Sequence, residues 1–157
     1  MKLNGHEGMI ADASGYLYNC GATDYKILIP ENATEPEKYA AEEVKRIFSL
    51  AYVDIKTVTD KGLTADETKR YISIGNTVYF KKLNVKLTQS EFKFDGFIIK
   101  NVGNTYVIKG VSDTGDIFGA YGFMEYIAGY VYYAPDEAKI NYCAFNKNFD
   151  IKFVPSF

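Results

Sequence analysis

The chain has 157 residues, enough for one domain with a sizeable buried core. Its formal net charge is −2, with 47% hydrophobic and 24% charged residues, which argues against a nucleic-acid or anionic-membrane surface. No apolar run approaches the roughly 18 residues of a membrane-spanning helix, and the first residues lack the basic and apolar regions of a signal peptide.

In chain order, residues 1 to 23 are rich in Gly, Asn, Asp and Ser and predict a flexible lead-in, with a short strand at Tyr16 to Tyr18. Tyr25 to Ile29 is a strand closed by Pro30. Thr34-Glu35-Pro36-Glu37 is a helix-capping signature. After it, Ala40, Val44, Ile47, Phe48 and Ala51 keep helical spacing, while Glu42, Glu43, Lys45 and Arg46 face water.

Asp54 to Thr59 alternates as a half-buried strand, and Asp60 to Lys69 is a polar loop. Tyr71 to Ile74 is a further strand, turned at Gly75 and Asn76. Thr77 to Leu87 predicts a short helix bearing Phe80, Leu83 and Leu87. Phe94 to Asn101 and Thr105 to Val111 are strands around the turn signal Gly103-Asn104. A second long helix starts at Asp113, with Ile117, Phe118, Tyr121, Met124, Ile127 and Ala128 as its inward stripe. Gly119 and Gly122 each weaken that helix by about 1 kcal/mol relative to Ala, which implies close approach to a sheet. Gly129 suits a left-handed helix end, Tyr130 to Ala134 reads as a β segment, and Phe149 to Pro155 as a last strand.

The chemistry inventory is sparse. The single histidine, His6, stands in the lead-in, and neither H-E-x-x-H nor C-x-x-C occurs, so no zinc site is expected. Cys20 and Cys143 lie in no nucleophile motif, and the sequence leaves open whether they bridge or, as their distance along the chain favours, stay separate thiols. Gly110 to Gly115 has the G-x-x-x-x-G spacing of a phosphate loop, but Asp116 and Ile117 stand where Lys and Ser or Thr are needed. Asp113 and Asp116 instead complement a helix N-terminus. Asp136, Glu137 and Asp95 give no implied pair of glycosidase carboxylates. Aromatic residues make up 16% of the chain, with 14 Tyr and no Trp. Tyr130, Tyr132 and Tyr133 cluster, with Tyr130 and Tyr132 on one face of an extended segment. They are candidates for sugar stacking, or for core and interface packing.

The run Gly110…Gly115…Gly119…Gly122-Phe123-Met124-Glu125…Gly129-Tyr130-x-Tyr132-Tyr133-Ala134-Pro135 resembles the end of a known accessory domain. It is preceded in matching order by Tyr25 to Pro30, Glu37 to Arg46 and Tyr71 to Thr77. That domain lies before the catalytic barrel of family 67 α-glucuronidases and related bacterial glycoside hydrolases, and a cousin precedes the barrel of family 20 hexosaminidases. Ala51-Tyr52-Val53 departs from the pattern, since relatives often place Thr-Gly there.

Pattern and order of elements predict an α+β fold: a mixed sheet of about six strands with two main helices packed on one face. The resemblance implies a zincin-like layer without a metal site. The expected division is a lead-in at 1–23, an accessory domain at 24–148, and at 149–157 the start of a linker to a catalytic barrel not contained in this chain. It further implies a non-catalytic domain, with no catalytic, cofactor or metal residues of its own. Its partner would be the barrel of the same polypeptide, with polysaccharide as a further possibility and no nucleic acid or membrane. The parent would be a secreted, periplasmic or cell-surface glycoside hydrolase. Tyr130, Tyr132 and Tyr133 are the candidate sugar or barrel contacts. The alternative is an independent carbohydrate-binding module that uses exposed tyrosines.

Overall fold

The structure, a computed structural model, describes residues 15–93 and 95–155. His6, most of the lead-in, Phe94, Ser156 and Phe157 lie outside the described residues. The first long helix, α1 (Glu35–Ser49), forms where the capping signal meets the apolar period. Thr34 Oγ1 accepts a hydrogen bond from the Glu37 amide at 3.2 Å, and Glu37 Oε1 accepts one from the Thr34 amide at 2.9 Å. Pro36 sits in the first turn, where its missing N–H leaves no helical bond unmade. Ala40, Val44, Ile47, Phe48 and Ala51 are all buried, as their spacing predicts.

The strands are β1 (Tyr16–Asn19), β2 (Lys26–Ile29), β3 (Thr57–Thr59), β4 (Tyr71–Ile74), β5 (Phe97–Val102), β6 (Thr105–Gly110), β7 (Val131–Tyr132), β8 (Ala138–Lys139), β9 (Cys143–Phe145) and β10 (Asp150–Phe153). Two short helices, α2 (Val78–Leu83) and α3 (Gln89–Phe92), lie between β4 and β5, and the second long helix, α4 (Asp113–Ala128), follows β6. The main sheet has the order β10-β5-β6-β4-β2-β3. Its β6-β4-β2-β3 part is parallel, and β10-β5-β6 is antiparallel.

Strand alternation sorts the core into two layers. Ile27, Ile72, Ile74, Ile99, Tyr106 and Ile108 meet α1 and α4 on one face. Leu28, Val102 and Val107 point the other way, against Tyr79 of α2 and the loop residues Leu63 and Ala65. The parallel strands are covered on both sides and accordingly carry nearly continuous apolar runs. The expected α+β architecture, with both long helices on one face, is the one observed.

The second helix approaches the sheet closely, as its glycines imply. A Cβ on Gly119 would stand 2.8 Å from Ile108 Cγ2, and one on Gly110 would stand 2.1 Å from the backbone carbon of Gly115. The G-x-x-x-x-G spacing therefore brings strand end and helix start into backbone contact. Ser112 caps the helix, its Oγ accepting from the Gly115 amide, and Gly129 ends it in the left-handed region at φ 67°. The inward stripe is corrected at Phe118, which is exposed, whereas Ala120 and Phe123 are buried. The glycine face is the core face, so apolar side chains alone misplace the stripe by part of a turn.

Four further expectations shift. Residues 16–18 belong to the core: Leu17 and Tyr18 pack against α1, β1 pairs with β9, and the Tyr18 hydroxyl donates to the Asn141 carbonyl at 2.5 Å. The Tyr130 to Ala134 segment pairs only at Val131 and Tyr132, with β8, in a hairpin apart from the main sheet. The Asp54 to Thr59 strand is confined to Thr57–Thr59, and Leu87 falls beyond α2. Residues 150–153, inside the stretch read as a last strand, do form one: an edge strand on β5 in which Phe153 stacks on Phe97 at 4.9 Å.

Gly110→Ala should lower stability by about 2 kcal/mol or more, because the obstructing atoms are backbone rather than a movable side chain. Gly15→Ala, which meets nothing within 4 Å, should be close to neutral. Urea titrations of the two variants check this as a lower midpoint at unchanged slope for the first alone.

Candidate functional site

The candidate tyrosines lead to an open groove of about 570 Å³ between α1, α4 and the β7 hairpin. Glu43 and Arg46 enter it from α1, Tyr121 and Glu125 from α4, and Tyr130, Tyr132 and Pro135 from the segment after Gly129. Their spacing is helical on both sides: i,i+3 on α1 and i,i+4 on α4. Arg46 grips Glu43 with two parallel bonds, Nε to Oε2 and a terminal nitrogen to Oε1, each 3.0 Å. From the other helix the Tyr121 hydroxyl donates to Glu43 Oε1 at 2.7 Å. The bonds from Arg46, aided by Tyr121, hold the Glu43 carboxyl below its usual range, so it is ionised at neutral pH. Burial raises the Tyr121 hydroxyl and keeps it protonated, a fixed donor. The sequence pattern turns Glu43 toward water. It is instead the acceptor at the centre of a bridge between the two long helices.

Tyr130 is 9% exposed, and its ring lies nearly parallel to that of Tyr121, with centroids 6.3 Å apart. Tyr132 is 59% exposed and lines the same groove. Tyr133 is 62% exposed and lies outside it, with Lys139 Nζ 5.8 Å from its ring centre. The structure thus joins two of the three candidates with Arg46, Glu43 and Tyr121. Sequence reasoning missed those three as site residues. The only local signal was the Glu43–Arg46 spacing, and Tyr121 is 78 residues from Glu43.

A second groove, of about 320 Å³, runs beside the first and shares Tyr121 and Glu125 with it. Its walls include Phe118, Tyr126 and Phe153, all exposed, together with Phe97 and Pro155. It is an aromatic strip along the outer side of α4. Asp95 stands at its margin, while Asp136 and Glu137 are exposed on the hairpin turn and line neither groove.

Three buried carboxylates gather near the C-terminal ends of the parallel strands, where open parallel sheets often bind ligands. Glu37, beyond its capping role, accepts from the Asn76 amide through Oε2 at 2.9 Å. Asp60 accepts from the Glu31 amide at 2.8 Å and the Val78 amide at 3.0 Å. Asp116 accepts from the Gly110 amide at 2.7 Å and has Lys109 Nζ 3.6 Å away. Each carboxylate ties two chain segments together through the backbone amides from which it accepts. Among the described residues no three His, Cys, Asp or Glu side chains are grouped as a metal site requires. Cys20 and Cys143 are both free thiols. Among the described residues no helix is long and apolar enough to cross a membrane.

No family model matches the chain, and no curated protein matches it. Two solved structures, both of glycoside hydrolases, share part of its shape. One is a GH138 enzyme targeting pectin rhamnogalacturonan II, at 18% identity over 61% of this chain, with a TM-score of 0.44. The other is CpGH84D, at 18% identity over 64% of this chain, with a TM-score of 0.43. This chain spans 12% and 17% of their lengths.

Asp116 generates a pH prediction. It is 3% exposed, and burial pushes its pKa up to about 6 against the opposing pull of Lys109 and the Gly110 amide. An unfolded Asp titrates near about 3.9, so the native state binds the extra proton between the two values. The stability gained is complete below about 3.9 and is lost as pH rises through about 6. Asp116→Asn keeps an acceptor for Gly110 without the charge. It should match or exceed the parent at pH 7, by on the order of 2 kcal/mol, and should flatten the pH dependence between about 4 and 7, most of it below about 6. Denaturant midpoints of the two proteins across that range provide the measurement.

Proposed function

We propose that this chain is a non-catalytic accessory domain of a glycoside-hydrolase-like protein, and that it packs through the outer side of α4 against a catalytic barrel of the same polypeptide. The observation that carries the reading is the aromatic strip of Phe118, Tyr126 and Phe153. Contiguous exposed apolar surface of this kind marks an interaction site rather than ordinary surface composition. The order of sequence motifs that resembles the accessory domain of α-glucuronidases supplies the identity of the occupant. The three buried carboxylates also fit, since each is engaged in holding loops. The parent's location outside the cytoplasm follows from the same resemblance.

Hydrogen exchange on the intact parent polypeptide, set against the isolated domain, tests this. Backbone amides of α4 and β10 should exchange more slowly in the parent. The pair Phe118→Asp and Phe153→Asp should abolish that difference while leaving the isolated domain folded. Equal exchange in both settings, or hydrolysis of glycosides by the domain alone, would defeat the reading.

A further inference from the structure

We propose that the groove of Arg46, Glu43, Tyr121 and Tyr132 is a binding site for the ring of a neutral saccharide. It is separate from the docking strip, which lies on the other side of Tyr121 and Glu125. Ligand sites are concave, of about 300–1,000 Å³, with a few fixed polar groups among apolar walls, and this groove of about 570 Å³ fits that description.

The polar groups are oriented before any ligand arrives. Glu43 is held by bonds from two helices: Oε1 accepts from both Arg46 and Tyr121, whereas Oε2 accepts from Arg46 alone. Oε2 therefore keeps a lone pair in a fixed direction. Arg46 also engages the Tyr130 hydroxyl, but its five N–H groups outnumber these contacts and its side chain is still 49% exposed. The pair offers guanidinium donors and a carboxylate acceptor side by side. Adjacent ring hydroxyls, which both donate and accept, match such a pair.

The apolar half of the match is Tyr132. A core role does not account for it, because the ring is mostly exposed beside Pro135. A pyranose presents a C–H face that packs on an aromatic ring while its hydroxyls reach sideways. Charge selects the class of sugar. Arg46 is already neutralised by Glu43, and Glu125 adds a further negative charge at the rim. A uronate or sulfated sugar would meet net repulsion, whereas a neutral ring would not.

Calorimetric and NMR titration of this chain with xylo-, cello- and manno-oligosaccharides, set against oligogalacturonates of equal length, tests the site. At least one neutral series should bind, and the acidic series should bind more weakly. Tyr132→Ala and Arg46→Ala should each weaken binding roughly tenfold, the loss of one stacking or charged hydrogen-bonding contact. Tyr52→Ala, an exposed tyrosine outside the groove, should leave it unchanged. Because Tyr132 is exposed, its variant should stay folded even if loss of Arg46 disturbs the helices. No binding of any neutral series, tighter binding of the acidic one, or full affinity in Tyr132→Ala would overturn the proposal. Any of these would leave the docking reading standing, since that rests on Phe118, Tyr126 and Phe153.

Discussion

The backbone of α4 touches the backbone of β6 where Gly110 meets Gly115, and this contact sets the height of the helix above the sheet. With α4 at that height, Phe123, Met124 and Ile127 reach the sheet, and the neighbouring α1 packs beside them. The same approach places Asp116 where its carboxylate can receive the amide of Gly110, at the end of β6. Close packing and a buried charge are thus consequences of one pair of glycines. The contact stabilises through dispersion and burial, while Asp116 opposes it in part at neutral pH.

The outer surface of the helix pair is organised by a different force. Glu43, Arg46 and Tyr121 join α1 to α4 through charge-assisted bonds at the rim of the core, where water still reaches Arg46. An exposed ion pair alone contributes little, but a bidentate pair reinforced by a partly buried hydroxyl has the geometry that makes such pairs count. The bridge divides the helical face into a polar groove on one side and an aromatic strip on the other. One face can therefore serve two kinds of contact without mixing them.

Local rules accounted for α1 almost completely, because its cap, its proline and its apolar period all lie within one stretch of chain. They also located the glycine approach of α4. They failed at Phe118, where the missing side chains, not the present ones, mark the buried face. They failed again at Tyr16 to Tyr18, whose burial depends on a strand more than 120 residues further on. Of the candidate site, the tyrosine cluster was visible as composition. Glu43 and Arg46 read as solvated residues because the partner that organises them comes from another helix. Asp60 looked like part of a polar loop, although its two backbone partners, Glu31 and Val78, belong to separate segments.

The pairing of β1 with β9 gives the molecule a late closing step. Tyr16 faces Phe145 and Asn19 faces Cys143, so these partners cannot meet until nearly the whole domain has left the ribosome. The parallel β2, β3 and β4 add pairings that are also distant along the chain. Contacts of such long range slow folding, because the entropy of closing a large loop is lost before the contact repays it. During synthesis, Leu17 and Tyr18 keep their apolar surface uncovered until β9 has emerged to pair with their strand.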